Sequence, residues 1–394
     1  MKSMVRVESK RILKTELLMF FFAVVLILSV SSSYQAVKSY ELWDRDGFVA
    51  SGWENLKHGK ENAGNRSIEE AIVMLKNIRE AVYVDEMNIE KLAVLNFSDM
   101  ETGSLSDEEI NAFFENRLRT IKRRLDESSN FNYTEREKEM FMGKAEELTG
   151  LRVGFAEGWK TLNRDMGSFM PFILITISII IMPLFAEDAQ TKMKELSQST
   201  KNGKKRLDLA RIATAFGVGS VLYFVAVIFY FFVEMIPFGF SGGGEYIQSS
   251  EDTFFSVFHI TYAEQFAWNC SRGYIALIFV ISMTILISVL MERIMAGIVV
   301  VSFYWILLLI MEKMISFEVN HVFANFMPLR LSGSKDFYIH NEIYRFAGKT
   351  FHAMVWCPAV AVVLSAFMVG IALWWLRGKR VGVNVLCIGC QPCE

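Results

Sequence analysis

Hydrophobic residues in this chain gather in six blocks that are long enough to cross a membrane. The blocks cover residues 17–37, 168–186, 212–233, 274–291, 294–311 and 353–376. A helix of about 20 apolar residues spans the hydrocarbon core of a bilayer. Backbone polar groups find no water there, so each block is expected to be a helix. The pattern therefore predicts an all-α polytopic membrane protein with six transmembrane helices.

The fourth and fifth blocks are joined only by Glu292 and Arg293. Two crossings linked by a tight hairpin, or two half-spans that re-enter from one side, both fit this arrangement. The length of each block favours two crossings. The first block is longer than the apolar region of a signal peptide, so we expect it to remain as an anchor.

The polar stretch 38–167 between the first two blocks contains helix start signals. Three hydroxyl residues are each followed by Glu at the third position, as in a capping box: Ser67 and Glu70, Ser106 and Glu109, Thr134 and Glu137. Apolar residues follow at helical spacing, for example Ile110, Phe113 and Phe114. We expect a small extracellular helical domain with its own core.

Positive charge fixes the expected orientation. The N-terminal flank, the segment 187–211 and the C-terminal flank are rich in Lys and Arg, which typically marks cytoplasmic segments. The sequence thus divides into a cytoplasmic amphipathic N-terminal helix (1–16), a first span (17–37), an extracellular domain (38–167), five further spans (168–376) and a cytoplasmic tail (377–394). The formal net charge of −2 adds little, because the two signs are segregated along the chain.

The aromatic segment 254–268 precedes the fourth block and contains His259 and Glu264. It is too polar for a comfortable crossing, and we expect an interfacial or re-entrant helix here.

Motifs for catalysis or cofactor binding are weak. Gly348-Lys349-Thr350 imitates the end of a phosphate-binding loop, but Ile343 stands where that motif needs its first Gly. His340, Glu342 and His352 match no metal-ligand spacing. Cys387, Cys390 and Cys393 have thiolate-ligand spacing, but no fourth ligand lies nearby in the sequence, which favours adventitious or redox-labile thiols over a metal or cluster site. We expect no enzyme, no cofactor and no metal site in this chain.

The polar segment 187–211 carries the most specific signal. An acidic start, a Thr, a Leu-Ser pair, a turn and a basic cluster follow one another as Glu187, Thr191, Leu196, Ser197, Ser199, Gly203, Lys205 and Arg206. This order resembles the coupling region of bacterial ABC-2 type export permeases, in the subgroup with a large insert between the first two spans. It departs at Gln198-Ser199-Thr200, where the family often has Pro-Val.

The resemblance implies a permease subunit of an ATP-driven exporter in the bacterial plasma membrane. A separate ABC ATPase subunit, which binds ATP and Mg, would dock on Glu187, Thr191, Leu196, Ser197, Lys205 and Arg206. Glu292 and Arg293 would form a second contact. The stretch 5–14 would lie along the inner leaflet as a connecting helix, and a second copy or a sister permease would complete the pathway.

The apolar spans favour an amphiphilic cargo such as a peptide, lipid or drug. We expect the lipid bilayer and no nucleic acid among the partners. The competing hypothesis is a membrane-anchored sensor or assembly protein whose extracellular domain binds a ligand or partner.

Overall fold

The fold was analysed in a computed structural model. It describes residues 2–44, 47–62, 64–75, 84–97, 105–128, 131–190, 203–291, 293–314, 323–333 and 335–387. Helices dominate these residues, in agreement with the predicted all-α class. The strands among these residues form three two-stranded antiparallel sheets. Two of these sheets are hairpins, while the third pairs Arg66–Ser67 with the distant Arg152–Val153.

The elements follow the chain from the N-terminus. They are α1 (Lys2–Ile12), α2 (Thr15–Lys38), β1 (Leu42–Asp44), β2 (Gly47–Ala50), α3 (Gly52–Asn62), β3 (Arg66–Ser67), α4 (Ile68–Leu75), α5 (Val84–Asn96), α6 (Asp107–Asn111), α7 (Phe113–Glu127), α8 (Glu135–Glu146) and β4 (Arg152–Val153). The second half contains α9 (Glu157–Ile181), α10 (Pro183–Gln190), α11 (Gly203–Phe238), α12 (Tyr262–Leu290), α13 (Ile294–Met314), α14 (Pro328–Leu331), α15 (Asp336–Ile339), β5 (Ile343–Phe346), β6 (Lys349–His352) and α16 (Ala353–Cys387).

Six helical stretches are long and apolar enough to cross a membrane, which confirms the six predicted spans. We call them spans 1 to 6: α2, α9 with α10, α11, α12, α13 and α16. Spans 2 and 4 are the inner ones, because 78% and 61% of their most apolar windows are buried inside the protein. The corresponding shares are only 22% for spans 1 and 5 and 17% for span 6. Their apolar side chains face outward, as they would towards lipid.

Span 2 consists of two helices, α9 and α10, with Met182 between them. Pro183 starts α10, and a proline is well tolerated at a first helical position because its missing N–H is not needed there. Ser288 of span 4 bridges the break: its hydroxyl donates to the Met182 carbonyl at 2.7 Å and accepts from the Ala186 N–H at 3.1 Å. The inner half of span 2 is therefore held to span 4 through this hydroxyl.

The described residues between spans 1 and 2 include the helices α3 to α8, and we call the segment 39–156 the insert. Ser106 and Thr134 each make the complete reciprocal capping box with Glu109 and Glu137. Ser67 accepts a hydrogen bond from the Glu70 N–H at 3.3 Å at the start of α4. These three predicted helix starts are confirmed.

The insert has two small apolar cores, and each of them takes in residues from the loop between spans 3 and 4. Ile72, Leu92 and Phe113 pack with Phe254 in one core. The second core gathers Ile121, Leu125, Phe141 and Ala145 around Val257. The loop between spans 3 and 4 therefore belongs to the core of the insert.

The predicted interfacial or re-entrant helix over 254–268 is wrong. Thr261 forms a capping box with Glu264, so the helix starts at Tyr262 and continues without a break into span 4. The residues before Tyr262 pack into the core of the insert instead. Burial of the rings of Phe254 and its neighbours there removes apolar area from water.

Candidate functional site

Helix α1 lies against the adjoining ends of spans 2 and 3, where the sequence predicts a coupling surface. Glu187, near the end of α10, accepts a hydrogen bond from Arg11 Nε at 3.1 Å. Lys14 Nζ lies 3.5 Å from the other carboxylate oxygen of Glu187. One acidic side chain of span 2 is thus bound by two cations from α1 and from the turn that follows it.

A second ion cluster joins α1 to span 3. Glu8 lies 3.4 Å from Arg11 Nη1 and 3.5 Å from Arg211 Nε. The side chains of Glu8 and Arg211 are each only 8% exposed, so this pair is little screened by solvent. The Arg211 guanidinium also lies 5.7 Å from the centre of the Phe185 ring.

Apolar contact and a backbone bond complete the docking of α1. Ile12 is 1% exposed and belongs to the main core of the spans. Thr214 of span 3 donates to the Val5 carbonyl at 3.5 Å. This docking follows from the sequence, because Val5, Glu8 and Ile12 recur at helical spacing and so share one face of α1. That face is the one that contacts span 3 and the core.

The predicted coupling residues are only partly within the described chain. Glu187 lies in the α1 cluster, while Arg206 is exposed near the start of α11. Lys205 is described by its backbone within α11. Thr191, Leu196, Ser197 and Glu292 lie outside the described residues. Arg293 is exposed next to the start of span 5. Of the two residues in the second predicted contact, only Arg293 is therefore described.

Sequence reasoning missed Glu8, Arg11 and Arg211 as members of this site and used the two arginines only to assign orientation. A signal was present, because Glu8 is the one acid in the otherwise basic helix α1. An isolated acid on the buried face of a basic helix indicates a cationic partner elsewhere in the fold.

On the opposite side of the spans, the insert is tied to the rest of the chain. Arg117 of α7 is 1% exposed and donates to the carbonyls of Phe254 at 3.0 Å and Ser256 at 2.8 Å. Burial lowers the pKa of the Arg117 guanidinium to about 10, at which the group remains charged at neutral pH. The loop between spans 3 and 4 is thereby fixed on α7.

The hairpin β5–β6 forms a further link. Arg345 donates to Glu137 of α8 at 3.1 and 2.7 Å, and Thr350 donates to the same carboxylate at 2.8 Å. Gly348-Lys349-Thr350, the imitation of a phosphate-binding loop, lies in the turn and second strand of this hairpin, with Gly348 at φ +74°.

A cavity of about 870 Å³ opens beside the insert. Its charged lining includes Lys60, Glu69, Glu147 and Glu245. Burial raises the pKa of Glu245 to about 7, although the Gly154 N–H donates to its carboxylate at 3.2 Å. The cavity can take a polar ligand of mixed charge.

Two of the three residues weighed as metal ligands, Glu342 and His352, make hydrogen bonds within the protein. Glu342 accepts a hydrogen bond from Asn325, and His352 accepts one from the Met354 N–H at 3.1 Å. Burial lowers the pKa of His352 to about 3. Among the residues that the structure describes, no group of three or more His, Cys, Asp or Glu could hold a metal ion. Cys390 and Cys393 lie outside the described residues.

No protein-family model matches this chain, and no curated protein and no solved structure matches it.

Proposed function

We propose that this chain is the permease subunit of an ATP-driven exporter that moves an amphiphilic peptide, lipid or drug across the bacterial plasma membrane. The side carrying α1 is then cytoplasmic and the insert is extracellular. A separate ATP-binding cassette subunit binds ATP and Mg and supplies the energy. A second permease copy or a sister permease lines the pathway from the other side.

The ion cluster around Glu187 is the observation that carries this proposal. Glu187 lies four residues before the start of the segment 191–202 and is bound to Arg11 and Lys14. Arg211, after the same segment, is bound to Glu8. A movement of the segment 191–202 would therefore be transmitted to span 2, span 3 and α1 together, as rigid-body coupling requires.

The pathway side of the proposal rests on span 2. Its α10 half is held to span 4 by Ser288. Gly297 of span 5 lies so close to Met182 that a Cβ atom there would be 2.5 Å from the sulfur. Movement of α10 would therefore be passed to spans 4 and 5.

Affinity purification from native membranes tests the proposed partner. We expect an ATP-binding cassette protein to co-purify with the wild-type chain. We expect Leu196→Ala and Glu187→Ala to reduce its recovery. Replacement of residues 187–206 by a scrambled sequence should abolish both recovery and transport. If transport survives the scrambled segment and no ATPase is recovered, the permease proposal fails.

A charge exchange separates two roles of Glu187. Combining Glu187→Lys with Arg11→Glu restores an ion pair between α10 and α1 with its signs reversed. Recovery of the ATPase in the double variant means that Glu187 acts by holding α1. Continued loss means that the carboxylate itself meets the partner.

The cavity of about 870 Å³ beside the insert favours a second candidate, a membrane-anchored sensor or assembly protein that binds a ligand there. Ligand binding by the purified chain that persists with the scrambled 187–206 segment, without any ATPase, would support this alternative.

A further inference from the structure

An acidic side chain without a hydrogen-bond partner is buried between spans 1, 2 and 3. Glu234 of span 3 is 0% exposed. Within the described part of the chain, neither of its carboxylate oxygens has a hydrogen-bond partner, and the same holds for the hydroxyls of Tyr230 and Ser29. Folded proteins leave few buried polar groups unsatisfied, and a bound ion or water is a common reason where they do.

The unsatisfied groups of span 3 share one face. Tyr230 precedes Glu234 by one helical turn, so their side chains are neighbours on the same face of the helix. The ring of Tyr230 stacks on Phe169 of span 2, with centroids 4.2 Å apart and planes 12° apart. The acid and the hydroxyl therefore both point into the seam between spans 2 and 3.

Span 1 closes the same seam. Ser33 donates to the carbonyl of Val233 at 3.3 Å, which places it level with Glu234. Spans 1 and 3 both begin beside α1, so they run in the same direction. Ser29 lies one turn earlier in span 1 and is 0% exposed. Its hydroxyl is thus at the level of Tyr230.

The neighbouring charges leave Glu234 without compensation. Asp165 and Arg164 of span 2 are the charged groups that act on it. Arg164 donates two hydrogen bonds to Asp165, at 2.8 and 3.2 Å. The positive charge of Arg164 is therefore paired with the Asp165 carboxylate. Ser32 of span 1 is a neighbour, but its hydroxyl does not reach hydrogen-bond geometry with Glu234.

A carboxylate ion in this position carries a desolvation cost that a neutral hydroxyl such as that of Ser32 does not offset. A single positive charge from outside the chain removes that cost. A proton does so by forming the neutral acid. An alkali cation does so by binding the carboxylate together with hydroxyl oxygens, the ligand type that hard cations prefer.

We propose that Glu234 binds one exchangeable positive charge, a proton in the resting protein that an alkali cation replaces with the help of Tyr230 and Ser29. In the exchange the carboxylic O–H bond breaks, the proton passes to solvent, and the cation pairs with the carboxylate. Charge and atoms balance, and no electron is transferred. The site is independent of the proposed ATPase contact, which lies at the other end of spans 2 and 3.

Infrared difference spectroscopy of the purified full-length chain, without any ATPase, tests the site. We expect the C=O stretching band of a protonated carboxylic acid that disappears at alkaline pH and, at fixed pH, on addition of Na⁺ or K⁺. Glu234→Gln should remove this band. Glu264→Gln is the matched control, since Glu264 is exposed and Gln also serves at that capping position. The control should keep the band.

Tyr230→Phe provides a second variant that keeps the ring stack and removes only the hydroxyl. It should raise the alkali-cation concentration needed to displace the band by roughly three- to tenfold, the value of one hydrogen bond or ligand. A band that follows pH but ignores Na⁺ and K⁺ overturns the proposed exchange, because the site then binds only the proton. The absence of any band that depends on Glu234, at every pH, overturns the proposal.

Discussion

Glu137 and Arg345 are 208 positions apart in the sequence, and two hydrogen bonds join their side chains. Glu137 lies in the first turn of α8, where it also completes the capping box with Thr134. Arg345 lies on β5, in the hairpin that leads directly into span 6. One carboxylate therefore both starts a helix of the insert and fastens the insert to a span.

Replacing Glu137 by Gln should weaken the link between the insert and span 6. It should also make the stability of the chain depend less on pH. Hydrogen bonds, above all that from Arg345, lower the pKa of Glu137 from 4.5 to about 2. A lowered acid pKa adds stability that is complete above pH 4.5 and is lost as the pH falls towards 2. We expect Glu137→Gln to lower the free energy of unfolding at neutral pH by roughly 1–3 kcal/mol.

Thermal melting of the detergent-purified chain measures both effects. The wild type should lose stability through that acidic window, and Glu137→Gln should lose less. Glu135→Gln is the control, because its side chain is 85% exposed and pairs with Lys138 at the surface. An acid-induced loss that is the same in the wild type and in Glu137→Gln would refute the assigned role.

Arg117→Leu should release the loop between spans 3 and 4. The variant leaves the carbonyls of Phe254 and Ser256 buried without their donor, at a cost of about 1–3 kcal/mol for each unsatisfied group. Hydrogen exchange should accelerate in residues 254–258, and the melting temperature should fall. Arg119→Leu removes an exposed arginine from the same helix and should leave both measurements nearly unchanged.

Local signals in the sequence predicted local structure well. The six spans follow from blocks of apolar residues, and the helix starts at Ser106 and Thr134 follow from a hydroxyl and a Glu three positions apart. These features depend on neighbours in the chain, so one sequence is enough to find them.

Contacts between distant segments were not predictable in this way. The spacing of Thr134 and Glu137 says nothing about Arg345, since that pairing depends on how the insert packs against the hairpin. The partners of Glu187 and the unsatisfied surroundings of Glu234 likewise depend on which helix faces meet. Ala347 and Gly348, both at positive φ, form the turn of β5–β6. Two such residues are typical of a tight hairpin turn, but Gly348 was considered only as part of a phosphate-binding loop and the hairpin was not predicted.

Ser288→Ala should loosen the break in span 2. The variant removes the group that satisfies both the Met182 carbonyl and the Ala186 N–H, and we expect a loss of roughly 1–3 kcal/mol. Ser282→Ala is the matched control on the same helix, because that hydroxyl bonds only within its own helix, to the Ile278 carbonyl at 2.8 Å. Equal melting temperatures for the two variants would show that the bridge contributes nothing.

Gly167 and Gly333 should resist substitution because their backbones touch. A Cβ atom on Gly167 would lie 2.9 Å from the Gly333 carbonyl oxygen, and one on Gly333 would lie 2.9 Å from the Gly167 Cα. Backbone atoms cannot rotate away as the end of a side chain can. Overpacking of this kind costs about 1–3 kcal/mol, so Gly167→Ala should lower the melting temperature. Gly370→Ala in span 6 meets no atom within 4 Å and should be neutral or stabilising, since alanine favours a helix. A Gly167→Ala chain as stable as the Gly370→Ala chain would mean that span 2 and the segment 323–333 can move apart without cost.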